Sequence, residues 1–202
     1  MEYRRGRILG AVDPDTVNAS AILINQWDPG TSVAGWSGSV WTPTANWATA
    51  TGSAMGTPTM YRQSGLSTHM GYMEFDLWYT GTGDGWVMFS MSWGTDAYAY
   101  NDNGFAWIVR GPSASTPNII NATYGSDTNY ILSPPATSET AYVTIGLEIT
   151  GTNTSTAYVN NIARASCTHT TNHSARRNVA FGVFNGVTGR IRNVKVWTAR
   201  PY

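Results

Sequence analysis

The chain is poor in charge. Only 12% of its 202 residues are Asp, Glu, Lys or Arg, and the formal net charge is zero, whereas soluble proteins average about 25% charged residues. Its polar surface must therefore be built from Thr, Ser, Asn and Gly. Basic residues are scattered apart from Arg4, Arg5 and Arg7, and a nucleic-acid groove needs a clustered positive footprint, so that partner is excluded. A single cysteine, Cys167, rules out an intramolecular disulfide. No apolar run approaches the ~20 residues of a membrane-spanning helix, and nothing resembling a signal peptide precedes the first strand, so synthesis in a cytoplasm without membrane insertion is expected. There is no long amphipathic helical pattern, and no repeat of fixed period, which argues against propellers and solenoids.

What is present is alternation. In Tyr142–Thr150, Val143, Ile145, Leu147 and Ile149 fall on one face, and Thr144, Glu148 and Thr150 on the other. Side chains of a strand repeat every two residues, so this pattern predicts one buried and one wet face. Gly151-Thr152-Asn153-Thr154 is turn chemistry, and with Thr156–Asn161 it predicts a hairpin. The run Asn178–Trp197 closes the chain on a further alternating strand, with Ile191, Val194 and Trp197 apolar. Upstream, strands are predicted at Ser37–Trp41, Met60–Gln63, Tyr72–Tyr79, Trp86–Trp93, Gly104–Arg110 and Asn118–Tyr124. Long connections are expected at Ala45–Pro58 and Ser133–Thr140. Short strands separated by turn residues every eight to twelve positions predict an all-β, two-sheet antiparallel sandwich.

The Tyr158-Val159-Asn160-Asn161 turn and the closing Gly189-Arg190-Ile191-Arg192-Asn193-Val194-Lys195-Val196-Trp197 strand resemble the concanavalin A-like lectin/glucanase (laminin G-like) jelly rolls. There, a strand ends in a Tyr-Val-Asn-Gly-type turn and the domain closes on Gly-x-Ile-x-x-Val-x-Val/Ile-Trp. The resemblance covers residues 36–202 and is sharpest in the last 60. It implies a jelly-roll sandwich facing sugar. It also bears on Met73-Glu74-Phe75-Asp76-Leu77-Trp78, because retaining glucanases of this superfamily carry Glu-x-Asp-x-Glu on one strand, the two glutamates acting as nucleophile and acid/base. Glu74 and Asp76 share a strand face about 6.6–7 Å apart, and glycoside hydrolysis needs such a carboxylate pair. The third position, however, is Trp78, so the acid/base glutamate is missing and a non-enzyme is expected.

Other chemistry-bearing residues have plainer readings beside them. Cys167, His169 and His173 are zinc-ligand types within seven residues, but zinc needs three or four converging ligands, and a polar Thr-rich loop at Ala165–Ala175 with incidental histidines is the default reading, so no metal is expected. Asp96 and Asp102 are candidates for calcium in the loop Asp96–Gly104; a hard cation wants six to eight oxygens, so an Asx-rich turn is the default and no cofactor is required. His69 precedes a strand with no nucleophile nearby in sequence. Nine tryptophans and eleven tyrosines remain, and flat rings stack on the C–H faces of sugars. Trp78, Trp86, Trp107 and Trp197 lie inside alternating strands and are expected in the core. Trp27, Trp36, Trp41, Trp47, Trp93, Tyr98 and Tyr100 lie at strand ends or in loops and are expected to be exposed. Trp41, Trp47, Trp93, Tyr98, Tyr100, Asn101, Asp102 and Asn103 are thus the candidate carbohydrate-binding residues.

Residues 1–35 are set apart as an arm, with Tyr3, Arg4, Arg5, Arg7, Ile8 and Leu9 as candidates for docking on a partner, or simply for starting the sheet. The opening Tyr-Arg-Arg-Gly-Arg-Ile-Leu-Gly-Ala-Val-Asp-Pro is loosely similar to the starts of minor tail proteins of actinobacterial phages. Eleven arginines against one lysine, Lys195, fit a GC-rich genome of that kind. These resemblances imply a phage virion component, a tail-tip, fibre or other appendage subunit among other virion proteins, reaching cell-surface glycan and plausibly a homotrimer. A capsid decoration protein and a secreted carbohydrate-binding module or glycoside hydrolase are the alternatives.

Overall fold

A computed structural model describes residues 18–38, 41–52, 59–80, 85–94, 106–110, 119–122, 130–131, 142–168 and 175–202. Fifteen strands run through them, and no helix occurs among these residues. They are β1 (Leu23–Trp27), β2 (Ser37–Gly38), β3 (Thr42–Pro43), β4 (Ala48–Thr51), β5 (Thr59–Gln63), β6 (Gly71–Thr80), β7 (Trp86–Trp93) and β8 (Ala106–Arg110). The remainder are β9 (Ile119–Ala122), β10 (Tyr130–Ile131), β11 (Val143–Ile149), β12 (Thr154–Val159), β13 (Ile162–Thr168), β14 (Asn178–Phe184) and β15 (Thr188–Trp197).

They form two antiparallel sheets. The eight-stranded sheet has the order β13-β12-β11-β6-β15-β4-β3, with β1 also on β15, and the seven-stranded sheet the order β10-β9-β8-β7-β14-β5-β2. The all-β, two-sheet architecture expected from the sequence is the one observed. Central β6 sends Met73, Phe75, Leu77 and Tyr79 inward, where Phe75 meets Phe89 of β7 at 5.3 Å and Phe181 of β14 at 4.8 Å, both edge to face. Burying each such large side chain contributes roughly 1.5–3 kcal/mol, so the seam between β6, β7 and β14 dominates the core.

The hairpin expected around Gly151–Thr154 joins β11 to β12. Asn160 and Asn161, with φ of 49° and 66°, turn β12 into β13; two positive-φ central residues are what a tight hairpin turn requires, and Asn tolerates them. Two loop expectations are corrected. Ala48–Thr51, inside the connection predicted at Ala45–Pro58, is β4, paired to Thr188–Ile191. Ala165–Thr168, taken as loop, completes β13, with Ala165 and Cys167 facing the core. Both are strands of small residues, whose apolar alternation is faint. Part of the stretch set apart as an arm is joined to the sandwich: β1 pairs with Val194–Trp197 of β15, and Ile24, Trp27 and Val33 pack against the core.

Candidate functional site

Because Met73, Phe75, Leu77 and Tyr79 point inward, Tyr72, Glu74, Asp76 and Trp78 point out of the eight-stranded sheet. The sheet's register decides their neighbours. Glu74 stands opposite Gly146 of β11 and Lys195 of β15; Asp76 is opposite Thr144 and Arg192, Tyr72 opposite Glu148 and Trp197, and Trp78 opposite Arg190. Directly opposed residues of antiparallel strands have their Cβ atoms about 4.5–5.5 Å apart, so each pair is in reach. Arg192 and Lys195 are three positions apart, a spacing that would normally put them on opposite faces. The register shifts between them, where Asn193 adopts φ of 53°, and this one-residue bulge keeps both cations outside.

The carboxylates are neutralised across the strands. Asp76 Oδ2 accepts from Arg192 Nε at 3.2 Å and Asn193 Nδ2 at 2.8 Å, and its Oδ1 accepts from Thr144 Oγ1 at 3.1 Å. Glu74 Oε1 lies 3.8 Å from Lys195 Nζ. Burial raises the Glu74 carboxyl above the ordinary carboxylate range; Lys195 opposes the rise, Asp76 adds to it, and the Tyr72 hydroxyl and Arg200 oppose it. Tyr72 lies beside Glu74, but neither its hydroxyl nor Glu74 Oε2 makes a hydrogen bond of good geometry. Burial, reinforced by Glu74, pushes the Tyr72 hydroxyl up. The cations sit above the acids: the side chains of Lys195 and Arg192 are 35% and 25% exposed, those of Glu74 and Asp76 12% and 11%.

Aromatic rings fill the rest of the face, and a cation lies over each group of them. The Arg190 guanidinium is 4.3 Å from the Trp78 ring. Arg192 lies 4.2 Å from Trp47 and 4.5 Å from Tyr142, two rings that pack edge to face at 5.9 Å. Lys195 is 5.9 Å from Trp197, and Arg200 is 4.3 Å from Tyr158 and 5.6 Å from Tyr202. Tyr72 packs among Tyr158, Trp197 and Tyr202 at 5.7–6.3 Å. The Tyr158 hydroxyl donates to Glu148 Oε2 at 2.5 Å, and burial together with that carboxylate pushes it up. Such a face offers guanidinium, ammonium and ring surfaces together.

The expected aromatic exposure is corrected at several positions. Trp36 and Trp41 turn inward onto Phe181 and belong to the core. Trp47 is on the outward face but only 5% exposed, lidded by Arg192 and Tyr142. Trp93 is fully buried on the far side of the seven-stranded sheet with Met88, Ala106, Ile108 and Ala180. There it lines a polar cavity of about 510 Å³ with Gln63, Arg176, Arg177 and Asn178. Trp27 is half-buried under Arg62. Of the four tryptophans expected in the core, only Trp107 lies in the packing between the sheets. Trp78 and Trp197 are on the outward face, and Trp86 stacks on Phe184 at 4.6 Å as a partly buried residue. Cys167, counted as a zinc-ligand type, points into the core rather than into a loop. Tyr98, Tyr100, Asn101, Asp102, Asn103, Asp96, His169, His173, and Tyr3, Arg4, Arg5, Arg7, Ile8 and Leu9 lie outside the described residues. Among the described residues, no three His, Cys, Asp or Glu side chains gather as a metal group would.

Sequence reasoning missed Tyr72, Tyr142, Tyr158, Arg190, Arg192, Lys195 and Arg200 as parts of one surface. A signal for three of them was present in the alternation of Arg190, Arg192 and Lys195 with Ile191, Val194 and Val196 along β15.

No protein-family model matches the chain, and no curated protein matches it. Solved structures do. A Crh5 transglycosylase in complex with NAG superposes with a TM-score of 0.63 at 14% identity, over 92% of this chain and 86% of that one. The carbohydrate recognition domain of Emp47p gives 0.59 at 12% identity, over 94% of this chain and all of that one. The Bacillus licheniformis beta-glucanase gives 0.57 at 12% identity, over 91% of this chain and all of that one. The fold is a concanavalin A-like jelly roll. At this level of identity the likeness concerns the fold, and function has to be argued from the face itself.

Proposed function

We propose that the chain is a non-enzymatic, lectin-like domain that binds carbohydrate on the outward face of its eight-stranded sheet. We further assign it to a phage appendage, a tail tip or fibre, that meets cell-surface glycan. One observation carries the reading: the strand bearing Glu74 and Asp76 continues with Trp78 under Arg190, while Arg192, Asn193 and Thr144 hold Asp76. A glycosidase needs two carboxyl groups that can reach the scissile bond, one to give or take a proton and one to attack or activate water. Here the acid opposite Lys195 has no second free carboxyl on its strand face, whereas the exposed Tyr142 ring, the part-buried rings of Trp197 and Tyr202 and the charged donors beside them fit the way a lectin holds sugar. The solved structures it resembles include both a carbohydrate recognition domain and a glucanase, so the choice rests on these residues. The virion placement is supported by the composition of the chain, low in charged residues and rich in Thr and Asn.

The test is a glycan array probed with the whole chain, alongside measurement of reducing ends released from the bound glycans. Binding without release is expected, with Tyr142→Ala, at a position 41% exposed, weakening it severalfold. Release of sugar that vanishes in Glu74→Gln would overturn the non-enzymatic reading. Loss of binding in Tyr98→Ala with Tyr142→Ala intact would move the site to the loop at Asp96–Gly104. Mass spectrometry of purified particles tests the placement: absence of the chain from them would remove the virion role and leave the sugar site standing.

A further inference from the structure

A small cavity opens at the end of the outward face where β6 begins. Glu148, Tyr72 and Trp197 stand side by side there in register. Beyond that row β11 is followed by Thr150, β6 begins at Gly71, and β15 is followed by Thr198 and Ala199. The cavity has a volume of about 220 Å³ and is lined, among the described residues, by Met70, Gly71, Glu148, Thr150, Thr198 and Ala199, with Ile149 beneath.

Most of this lining is apolar or already engaged. Met70 is 42% exposed, a large apolar side chain left in water. Ala199 adds a methyl group, while Gly71 and Ile149 add backbone, the Ile149 side chain being in the core. The Thr198 hydroxyl accepts from the Ile22 N–H at 3.0 Å and donates to the Ser20 carbonyl at 3.4 Å, so it has no proton to spare. Two polar atoms remain. Glu148 uses Oε2 for the Tyr158 hydroxyl, and its Oε1 has no hydrogen-bond partner among the described residues. The Thr150 hydroxyl meets the Thr154 hydroxyl at 3.2 Å, where either can donate; with Thr154 donating, the Thr150 proton is open to a ligand. A carboxylate only accepts hydrogen bonds and a hydroxyl can donate one. The cavity therefore offers an acceptor and a donor two positions apart, about 6.6–7 Å along the chain, beside apolar surface.

The group that matches is a secondary amide ending in a methyl. Its N–H and its carbonyl point in opposite directions, and its methyl prefers apolar surface. A plain hydroxyl would leave Met70 and Ala199 facing water. An ammonium would find one carboxylate oxygen and otherwise apolar walls, which disfavour a charge. We propose that this cavity is a subsite for an N-acetylated amino sugar. The acetamido N–H donates to Glu148 Oε1, the carbonyl accepts from the Thr150 hydroxyl, and the methyl packs on Ala199 and on Met70, a side chain that adapts readily to its contacts. The proposal rests on the carbohydrate-binding reading above and names the sugar class that the face selects.

The experiment is titration of the full chain with chito-, chitosan and cello-oligosaccharides of equal length. These share one backbone and linkage and differ only in carrying acetamido, free amino or hydroxyl on the same ring carbon. N-acetylgalactosamine and galactose form a second pair. Binding about tenfold tighter is expected for the acetylated member of each pair, from two hydrogen bonds and a covered methyl. Thr150→Val removes the hydroxyl and keeps the shape, and Ala199→Leu fills the cavity. Each should shrink the preference severalfold while the affinity for the hydroxyl-bearing sugars stays near that of the parent, which also shows that the variant has folded. Tyr142→Ala, six positions from Glu148 along β11 and about 20 Å away, should lower both affinities together and leave the preference unchanged. Equal affinity within both pairs would overturn the subsite and leave the carbohydrate reading intact. Tightest binding to the free-amino oligomer would make Glu148 a cation site and overturn the amide. A preference that survives both Thr150→Val and Ala199→Leu would put the acetamido group elsewhere and overturn this site. No binding to any of these sugars would overturn the inference, and a blank glycan array beside it would remove the carbohydrate reading too.

Discussion

Gly146→Ala is the sharpest probe of how the face is built. Gly146 sits opposite Glu74 on β11, and the Tyr72 ring lies across it. A Cβ there would collide with the Tyr72 hydroxyl oxygen and fall 2.8 Å from Cζ and 2.9 Å from Cε2. Tyr72 is fully buried and boxed in by Tyr158, Trp197 and Tyr202, so it has no easy route of retreat. Two terms oppose each other. Replacing glycine by alanine in extended backbone narrows the unfolded ensemble and stabilises by about 0.4–1 kcal/mol. Forcing a methyl into a packed site costs about 1–3 kcal/mol, and here three heavy atoms lie within 3.0 Å, so the cost belongs at the upper part of that range. The net expectation is a loss of about 1–2 kcal/mol, or ~2–8 °C in Tm for a domain of this size. Urea denaturation of Gly146→Ala and of the double variant Tyr72→Phe/Gly146→Ala measures it. The double variant removes the closest contact but leaves two ring carbons inside 3.0 Å, so it should recover only part of the loss. A Gly146→Ala chain as stable as the parent, or more so, would refute the claim that Tyr72 occupies the space above Gly146.

Three further outcomes are expected. Glu74 has a folded-state carboxyl raised above its ordinary value of 4.5, facing Tyr72, Asp76, Lys195 and Arg200; the native state therefore holds its proton longer than the unfolded state, and stability falls as pH rises above about 4.5. Glu74→Gln should flatten that part of the stability–pH curve, and an unchanged slope in urea titrations across pH 4–8 would contradict the assignment. Trp107 Nε1 donates to Ser155 Oγ at 2.9 Å with both residues buried, so Trp107→Phe should lose about 1–3 kcal/mol, and Ser155→Ala on that background should add less than it does alone. Deleting Asn193 removes the bulge but leaves Arg192 opposite Asp76 and Lys195 opposite Glu74 in unbroken alternation, with Val194 and Val196 still inward, and loses the hydrogen bond from Asn193 Nδ2 to Asp76. That chain should still fold by circular dichroism with a lowered Tm, and an unfolded chain would contradict this account of the bulge. Asn193→Gly, which keeps the positive φ, should melt within a few degrees of the parent.

The sandwich was legible where strands carry bulky alternation. Val143 to Ile149 and Met73 to Tyr79 show it, and both are strands as expected, with Ile145, Leu147, Ile149, Met73, Phe75, Leu77 and Tyr79 inward and Trp78 outward. Ala48–Thr51 and Ala165–Thr168 were not legible, because alanine, threonine and serine differ too little in apolar surface for period two to stand out. The tryptophans failed for another reason. A large ring can be buried between the sheets, like Trp107, or under an arginine on a wet face, like Trp78 and Trp47, and position in a strand does not separate the two. The face itself depends on pairings across 116 residues, Asp76 with Arg192 among them. Those follow from β15 lying beside β6, a fact of sheet order that local pattern does not contain.

That sheet order also explains why the carboxylates of β6 lie under cations. A carboxylate pair on one strand stays available for chemistry only if the strands beside it offer no fixed partner. Here the closing strand supplies one opposite each acid, Lys195 to Glu74 and Arg192 to Asp76, and the bulge at Asn193 is what lets a spacing of three serve both. The neutralisation is thus set by backbone register, which cannot be undone by a side-chain rotation. Changing it would push Lys195 into a core of Val194, Val196 and Met73 and expose those valines, a cost far above any exposed ion pair. Arg190 and Arg200 add further charge beside rings: register sets Arg190 opposite Trp78, and Arg200 rests on Tyr158. A glutamate at position 78 would have faced Arg190 across the strand pair and repeated the pattern of acid under cation. Tryptophan there gives that guanidinium a ring to lie on, so the same residue that removes a carboxyl from the strand also fixes the position of the cation opposite it.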